Sequence, residues 1–295
     1  MRKFPVNSLM TVNGNLLSTW HKLDKGQLIK WTVYALLLIN WGFYFFEEIY
    51  ISSHTLRQGG SFLKWTEAFA TTIDEFAWFG LLFMFELETY SLSDEVLKKR
   101  LVSWWLHGFR VLCYLFLVHT IYARVMTVND FENVTLAPEV TNLCQLAGDD
   151  ISFGKNYSYT LIDDSNCVGF SNESSFYFLD PTVITDGSGH ALEKKLVWLD
   201  LVEACTWLLV IFAIELAVWL QNHDITGGIL MLVSHAAKLL YGILFAAAAY
   251  WAYTGHWVYT WDELLWICGF WAIEKNLSEW REEIREEEAL GAYRT

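Results

Sequence analysis

The sequence predicts an all-α polytopic membrane protein, and three observations support that fold class. Apolar runs of about twenty residues recur six times, and a helix of ~20 residues covers the ~30 Å hydrocarbon core of a bilayer. Hydrophobic residues make up 54% of the 295 residues, whereas charged residues make up only 18%. Acidic residues collect in one long loop and at the C-terminus, so the formal charge of −14 lies largely apart from the apolar runs.

The six runs define the predicted spans and divide the chain into five segments. The spans are residues 28–50, 68–90, 104–126, 196–220, 228–253 and 257–276. The segments are a tail with an interfacial helix near Trp20 (1–27), spans one to three (28–126), an acidic extracytoplasmic loop domain (127–195), spans four to six (196–276) and an acidic C-terminal helix (277–295).

Orientation follows from the positions of Lys and Arg, because positively charged loops stay on the cytoplasmic side. Twelve of the 20 Lys and Arg residues lie in the two tails and the loop after the second span, and five lie on the opposite side. This asymmetry predicts a multi-pass protein of the plasma (cytoplasmic) membrane with both termini inside and residues 127–195 outside.

The outer loop contains two of the five cysteines and three glycosylation triplets. Cys144 and Cys167 lie there without other thiols, so an oxidising compartment favours a disulfide between them. Asn133, Asn156 and Asn172 each begin an Asn-x-Ser/Thr triplet, which matters only in a eukaryotic secretory route.

Acidic residues recur at matched positions in the even-numbered spans. Each of these spans has acids near its outer end, then a tryptophan, then a glutamate eight residues further on. The outer acids are Asp74, Glu75, Asp200, Glu203, Asp262 and Glu263. The tryptophans are Trp78, Trp207 and Trp266, and the inner glutamates are Glu86, Glu215 and Glu274. The spacing predicts three parallel two-helix repeats related by an axis along the membrane normal.

Basic residues recur in the odd-numbered spans and predict an inner layer of charge. Arg110 and Lys238 each follow a histidine by three residues, at His107 and His235. A charge that faces lipid near the middle of a bilayer costs at least ~2.5 kcal/mol. Arg110 and Lys238 are therefore expected to pair with Glu86, Glu215 and Glu274, either as a gate or to fix helix register.

The histidines allow a second kind of chemistry. His107 and His235 are expected at equivalent heights, where they could ligate a haem or a metal ion, although no cofactor is predicted. His119 lies deeper in the third span and could take part in a proton relay. No catalytic residue is assigned, because the chain has no serine-hydrolase, zinc-protease, P-loop or dinucleotide motif.

The leading functional hypothesis is a channel or transporter that moves an inorganic cation, including the proton, past the outer acids. A ring of carboxylates at a pore mouth selects for cations. The alternative is a non-transporting accessory or receptor subunit, whose outer loop or acidic tail binds a protein partner while the charges hold the bundle together. A third hypothesis is a cofactor-bearing membrane enzyme. A nucleic-acid partner conflicts with the acidic charge, and small-residue runs permit a homo-oligomer.

Overall fold

A computed structural model describes residues 25–87, 96, 99–222 and 228–270, which are mostly helical. The helices are α1 (Lys25–Thr55), α2 (Phe62–Ala68), α3 (Ala70–Glu86), α4 (Arg100–Glu132), α5 (Cys167–Phe170), α6 (Gly187–Asn222), α7 (Gly228–Tyr253) and α8, which covers 257–270 of the described residues. A 3₁₀ turn spans Leu143–Leu146. The predicted tail helix near Trp20, Glu274 and the acidic C-terminal helix lie outside the described residues.

Three helices in the described part of the chain are long and apolar enough to cross a membrane. They are Arg100–Glu132, Gly187–Leu216 and His235–Tyr253. The other three predicted spans fall on α1, α3 and α8, which are not among these three helices. Large apolar side chains on helix surfaces remain exposed, including Phe46 at 70% and Leu232 at 70%. Exposed apolar surface on this scale is expected where a helix faces lipid.

The helices pack around one apolar core, in which α3 contacts α4, α4 contacts α6 and α6 contacts α7. Leu37, Cys113, Leu117, Val210 and Leu244 are buried in it. At the crossing of α3 and α4, a Cβ atom on Gly80 would lie 2.6 Å from the Cys113 Sγ atom. Gly80 therefore permits these two helices to approach closely, as small residues do in membrane bundles.

The outer loop folds into a β-sheet, which corrects the all-α prediction for this segment. The strands are β1 (Thr135–Leu136), β2 (Ser152–Lys155), β3 (Ser158–Leu161), β4 (Phe176–Asp180) and β5 (Val183–Asp186), in the spatial order β1-β4-β5-β2-β3. β2 and β5 are parallel and the other neighbours antiparallel. Strands of two to five residues are too short to show a clear alternating pattern, and all four β5 residues are buried.

The sheet domain is attached to one end of the bundle, which we call the sheet end. His54 Nδ1 lies 2.8 Å from Ser152 Oγ, and the Thr182 hydroxyl donates to the His54 carbonyl at 2.7 Å. Asp186 accepts from the Gly189 N–H at 2.5 Å, which caps the first turn of α6. Burial raises the pKa of Asp186, but hydrogen bonds from Lys155, Gly189 and Ser188 outweigh this effect and leave the pKa below its usual value. Hydrogen bonds to α1 and to the first turn of α6 thus attach the sheet domain to the bundle.

The predicted disulfide is present between Cys144 and Cys167, with a Cα–Cα distance of 4.8 Å. It joins the 3₁₀ turn to α5 beside a small core that contains Phe153 and Phe176. We expect the double variant Cys144→Ser/Cys167→Ser to lower the stability of the sheet domain by about 3 kcal/mol, because the bond restricts the unfolded loop. Amide hydrogen exchange of β4 and β5 measures this loss. Equal protection with and without the bond would contradict the prediction.

Candidate functional site

All six predicted outer acids line one cavity inside the bundle, near the sheet end. The cavity has a volume of about 60 Å³, which accommodates a few water molecules. Its lining draws Asp74 and Glu75 from α3, Asp200 and Glu203 from α6, and Asp262 and Glu263 from α8. Glu75, Asp262 and Glu263 are buried, at 5%, 8% and 3% exposure. The structure therefore brings together carboxylates that are up to 189 residues apart in the chain.

Five of these carboxylates accept a hydrogen bond from a neutral side chain, and four of the donors are indole N–H groups. Trp78 donates to Asp74 at 3.2 Å, Trp266 to Glu75 at 3.2 Å, Trp207 to Glu263 at 3.0 Å, Trp251 to Glu203 at 2.7 Å and Asn40 to Asp262 at 2.8 Å. Each of these bonds orients one carboxyl oxygen but supplies no positive charge. Any carboxyl group that is ionised in this cavity therefore needs a cation nearby to balance its charge.

The sixth carboxylate pairs with a base. Arg124 Nη1 lies 2.6 Å from Asp200 Oδ2, and Arg124 Nη2 donates to the Thr71 hydroxyl at 2.8 Å. Both charged side chains are 18% exposed. Among the residues that the structure describes, Arg124 is the single basic side chain in the cavity lining. One guanidinium therefore faces six carboxyl groups.

Aromatic rings line the cavity on the side away from the sheet. Trp78, Trp207 and Trp266, which hold the same position in the predicted three-part pattern, lie together one helical turn below the acids. The Trp78 ring centroid is 5.9 Å from that of Trp207 and 6.0 Å from that of Trp266. Phe270 lies within 5.4 to 6.1 Å of all three. We call these four rings the aromatic floor, and all four line the cavity.

A hairpin of the sheet domain packs against aromatic residues beside the cavity. Strands β2 and β3 are joined by Asn156 and Tyr157, whose φ angles of +56° and +57° make a tight two-residue turn. The Tyr157 ring lies 5.4 Å from His256, 6.2 Å from Trp251 and 6.3 Å from Tyr259. Tyr259 lines the cavity, and Trp251 holds Glu203.

The hairpin tip is also held by hydrogen bonds. The Asn156 amide donates to the Thr254 carbonyl at 3.0 Å and its oxygen lies 2.9 Å from His256 Nε2. The Tyr157 N–H donates to the buried carboxylate of Glu193 at 3.1 Å. A bulky residue at positive φ costs roughly 1 to 2 kcal/mol. These contacts offset the strain at Tyr157 and keep the tip against the bundle.

Several residues of the site could not be predicted from the sequence, because they are uncharged or bind the backbone of another helix. Tyr44 and Tyr259 line the cavity, and Asn40 orients Asp262. Glu48 lies beside the site and accepts the N–H groups of Thr71 and Thr72 at 2.7 and 3.0 Å, which satisfies the first turn of α3. The signal for Asn40 in the sequence is a polar residue inside an apolar stretch of α1.

The predicted inner charge layer is described only in part. Glu215 is exposed and accepts a hydrogen bond from the Tyr114 hydroxyl, and Arg110 interacts electrostatically with the same tyrosine. Lys238 lies on the exposed surface of α7. The side chain of Glu86 and all of Glu274 lie outside the described residues. Pairing of Arg110 and Lys238 with the inner glutamates stays a prediction.

The three histidines lie away from the cavity lining. His107 and His235 are exposed on different helices, and His107 Nδ1 lies 2.7 Å from the Ser103 carbonyl of its own helix. His119 stacks on Tyr122 at 6.1 Å, and its buried Nε2 has no hydrogen-bond partner within the described part of the chain. Among the described residues, no group of three His, Cys, Asp or Glu is arranged to hold a metal ion.

Comparison with protein-family models, with curated proteins and with solved structures finds no match to this chain. The class that fold and site define is a mostly helical chain with helices able to cross a membrane, an acidic internal cavity and a disulfide-linked sheet domain.

Proposed function

We propose that this chain is a membrane transporter that moves a cation across the bilayer by way of the acidic cavity. The observation that carries the proposal is the convergence of six carboxyl groups and one guanidinium on a single cavity. Ionisable groups inside a membrane bundle are costly and mark ion pathways when they face a cavity. A cation in the cavity would compensate the carboxylates that Arg124 leaves unpaired.

The six spans of the proposed transporter are α1, α3, α4, α6, α7 and α8, with both termini on the cytoplasmic side. The tryptophan cluster supports three related two-helix units, because Trp78 lies close to both Trp207 and Trp266, as expected if the units are related by an axis that passes between them. An axis of this kind is where parallel repeats place a shared binding site. The sheet domain then faces outward, where its disulfide is stable.

The position of the acids between two groups of aromatic side chains favours a transporter over an open channel. The aromatic floor lies on one side of the acids and the Tyr157 hairpin on the other. A cation in this cavity exchanges with only one side at a time if the two closures open alternately. We propose that the hairpin is the outer closure and the aromatic floor the inner one.

The test is cation flux into proteoliposomes, measured in turn for H⁺, Na⁺ and K⁺. The variant Glu75→Gln/Glu203→Gln/Glu263→Gln removes three cavity charges and keeps side-chain size. We expect its flux to fall by about tenfold or more, since losing ~1.4 kcal/mol of interaction corresponds to a factor of ten. The matched control is Glu139→Gln/Asp149→Asn/Asp164→Asn, which neutralises three exposed acids of the sheet domain and should leave flux unchanged.

Two results would contradict the proposal. One is an unchanged flux in the folded triple variant, and the other is no flux of any tested cation through folded wild-type protein. Either result would favour the accessory or receptor alternative, in which the carboxyl groups only hold the bundle. Folding of every variant is checked by gel filtration in detergent before reconstitution.

A further inference from the structure

Four of the six cavity acids form two carboxyl–carboxyl pairs between helices. The side chain of Glu75 on α3 lies within hydrogen-bonding reach of Asp262 on α8, and that of Glu203 on α6 lies within the same reach of Glu263 on α8. The neighbours Asp262 and Glu263 thus each reach a different helix. Both pairs lie in the cavity, and indole or amide N–H groups hold their other oxygens.

Each pair contains a buried oxygen that receives no hydrogen bond from a donor group in the described residues. These oxygens are Glu75 Oε2 and Glu263 Oε1, on residues that are 5% and 3% exposed. Two carboxylate oxygens that face each other in a bundle interior repel strongly if both groups are ionised. A positive charge between them is therefore required.

A proton fits this geometry better than a metal ion. A proton needs only two oxygens, one to bond covalently and one to accept the hydrogen bond. Metal cations such as Ca²⁺ take six to eight oxygens and Mg²⁺ six, whereas each pair consists of only two carboxyl groups, whose other oxygens already accept N–H groups. Arg124 does not donate a hydrogen bond to either pair through its Nη atoms, because these are bound to Asp200 and Thr71.

We propose that each pair shares one proton, so that the cavity holds two protons and the proton is the cation that this chain moves. The transport part rests on the proposed function, whereas the shared protons do not. When a pair loads, an O–H bond forms on one carboxyl group and a hydrogen bond forms to the other. When it unloads, that O–H bond breaks, the proton leaves on water, and both groups carry charge.

Other charged and titratable groups surround the pairs and enter their proton balance. They are Asp74 on α3, Arg124 on α4, Asp200 on α6, Tyr44 on α1 and Tyr259 on α8. Asp200 is already paired with Arg124, and Asp74 accepts from Trp78. The two pairs are therefore the groups whose buried oxygens face a second carboxyl group.

The test is infrared spectroscopy of the full chain in lipid nanodiscs during a pH titration. A protonated carboxyl group has a carbonyl stretch distinct from that of a carboxylate, and it shifts in D₂O. We expect this band at neutral pH in wild-type protein. Glu75→Gln and Glu203→Gln should each remove about half of it, since each deletes one of two pairs and its glutamine amide can donate in place of the shared proton. Glu139→Gln, at an exposed site, should leave the band intact.

The outcomes separate this inference from the proposed function. Absence of the band at neutral pH, or a band that neither variant alters, would overturn the shared protons. Asp262→Asn tests the first pair again if Glu75→Gln does not fold. Flux of Na⁺ or K⁺ without proton flux would overturn the proton as the moved cation and leave cation transport supported. A band that both variants halve, together with proton flux, supports both parts.

Discussion

Replacing Arg124 with glutamine is expected to destabilise the protein by about 3 to 5 kcal/mol, because it leaves buried carboxylates without their base. Asp200 loses its 2.6 Å ion pair and Thr71 loses its 2.8 Å hydrogen-bond donor. The measurement is the free energy of unfolding in mild detergent under increasing denaturant. A loss below 1 kcal/mol would contradict the prediction.

Two further variants show whether this loss comes from the unpaired charge. The double variant Arg124→Gln/Asp200→Asn removes both charges and should recover much of the stability. Arg57→Gln serves as a matched control, because Arg57 pairs at 3.7 Å with Asp150, whose side chain is 80% exposed. We expect it to cost less than about 1 kcal/mol. If the double variant were as unstable as the single one, packing and not charge would explain the effect.

Truncating Tyr157 to alanine is expected to open the cavity to reagents from the sheet side. Tyr157 contacts three aromatic rings, and each such contact is worth about 0.5 to 1.5 kcal/mol. The reporter is Ala204→Cys, because Ala204 lines the cavity, with the free thiols at 113, 205 and 268 replaced by serine. We expect modification by a membrane-impermeant cationic thiol reagent to accelerate by about tenfold or more.

The control for this experiment lies on the same hairpin. Tyr159 stacks on His54 at 5.8 Å, away from the cavity lining. Tyr159→Ala should therefore leave the modification rate of the reporter unchanged. Equal rates in wild type and Tyr157→Ala would show that the hairpin does not close the cavity. Because the readout is chemical modification, it is independent of whether any cation moves.

The positions of the cavity acids along their helices could be predicted from the sequence, whereas their orientation around the helix axes could not. The matched spacing of Glu75, Glu203 and Glu263 predicted equal heights, and the structure places all three in one lining. Periodicity gives position along a helix axis, whereas rotation about it depends on packing partners far away in the chain. For the same reason the spacing could not predict that Trp266 would donate to Glu75 on another helix.

The sheet domain was less predictable for a different reason. Its strands are very short, and its key turn at Asn156 and Tyr157 lacks the glycine that usually marks such a hairpin. The turn is stable because the bundle holds it, through Glu193, Thr254 and His256. Contacts between distant segments override local preference at this position. The disulfide, by contrast, could be predicted because it required only two isolated cysteines in one loop.

The docked hairpin contains one of the three glycosylation triplets, and its asparagine is hydrogen-bonded to the bundle. Asn156 begins an Asn-Tyr-Ser triplet, yet both polar atoms of its amide are bonded inside the folded protein. A glycan on that nitrogen would displace the bond to Thr254 and put a bulky sugar between tip and bundle. Asn172, in contrast, is exposed. In a eukaryotic secretory route, an oligosaccharide on Asn156 would mark chains modified before the hairpin docked and would thus record the order of assembly.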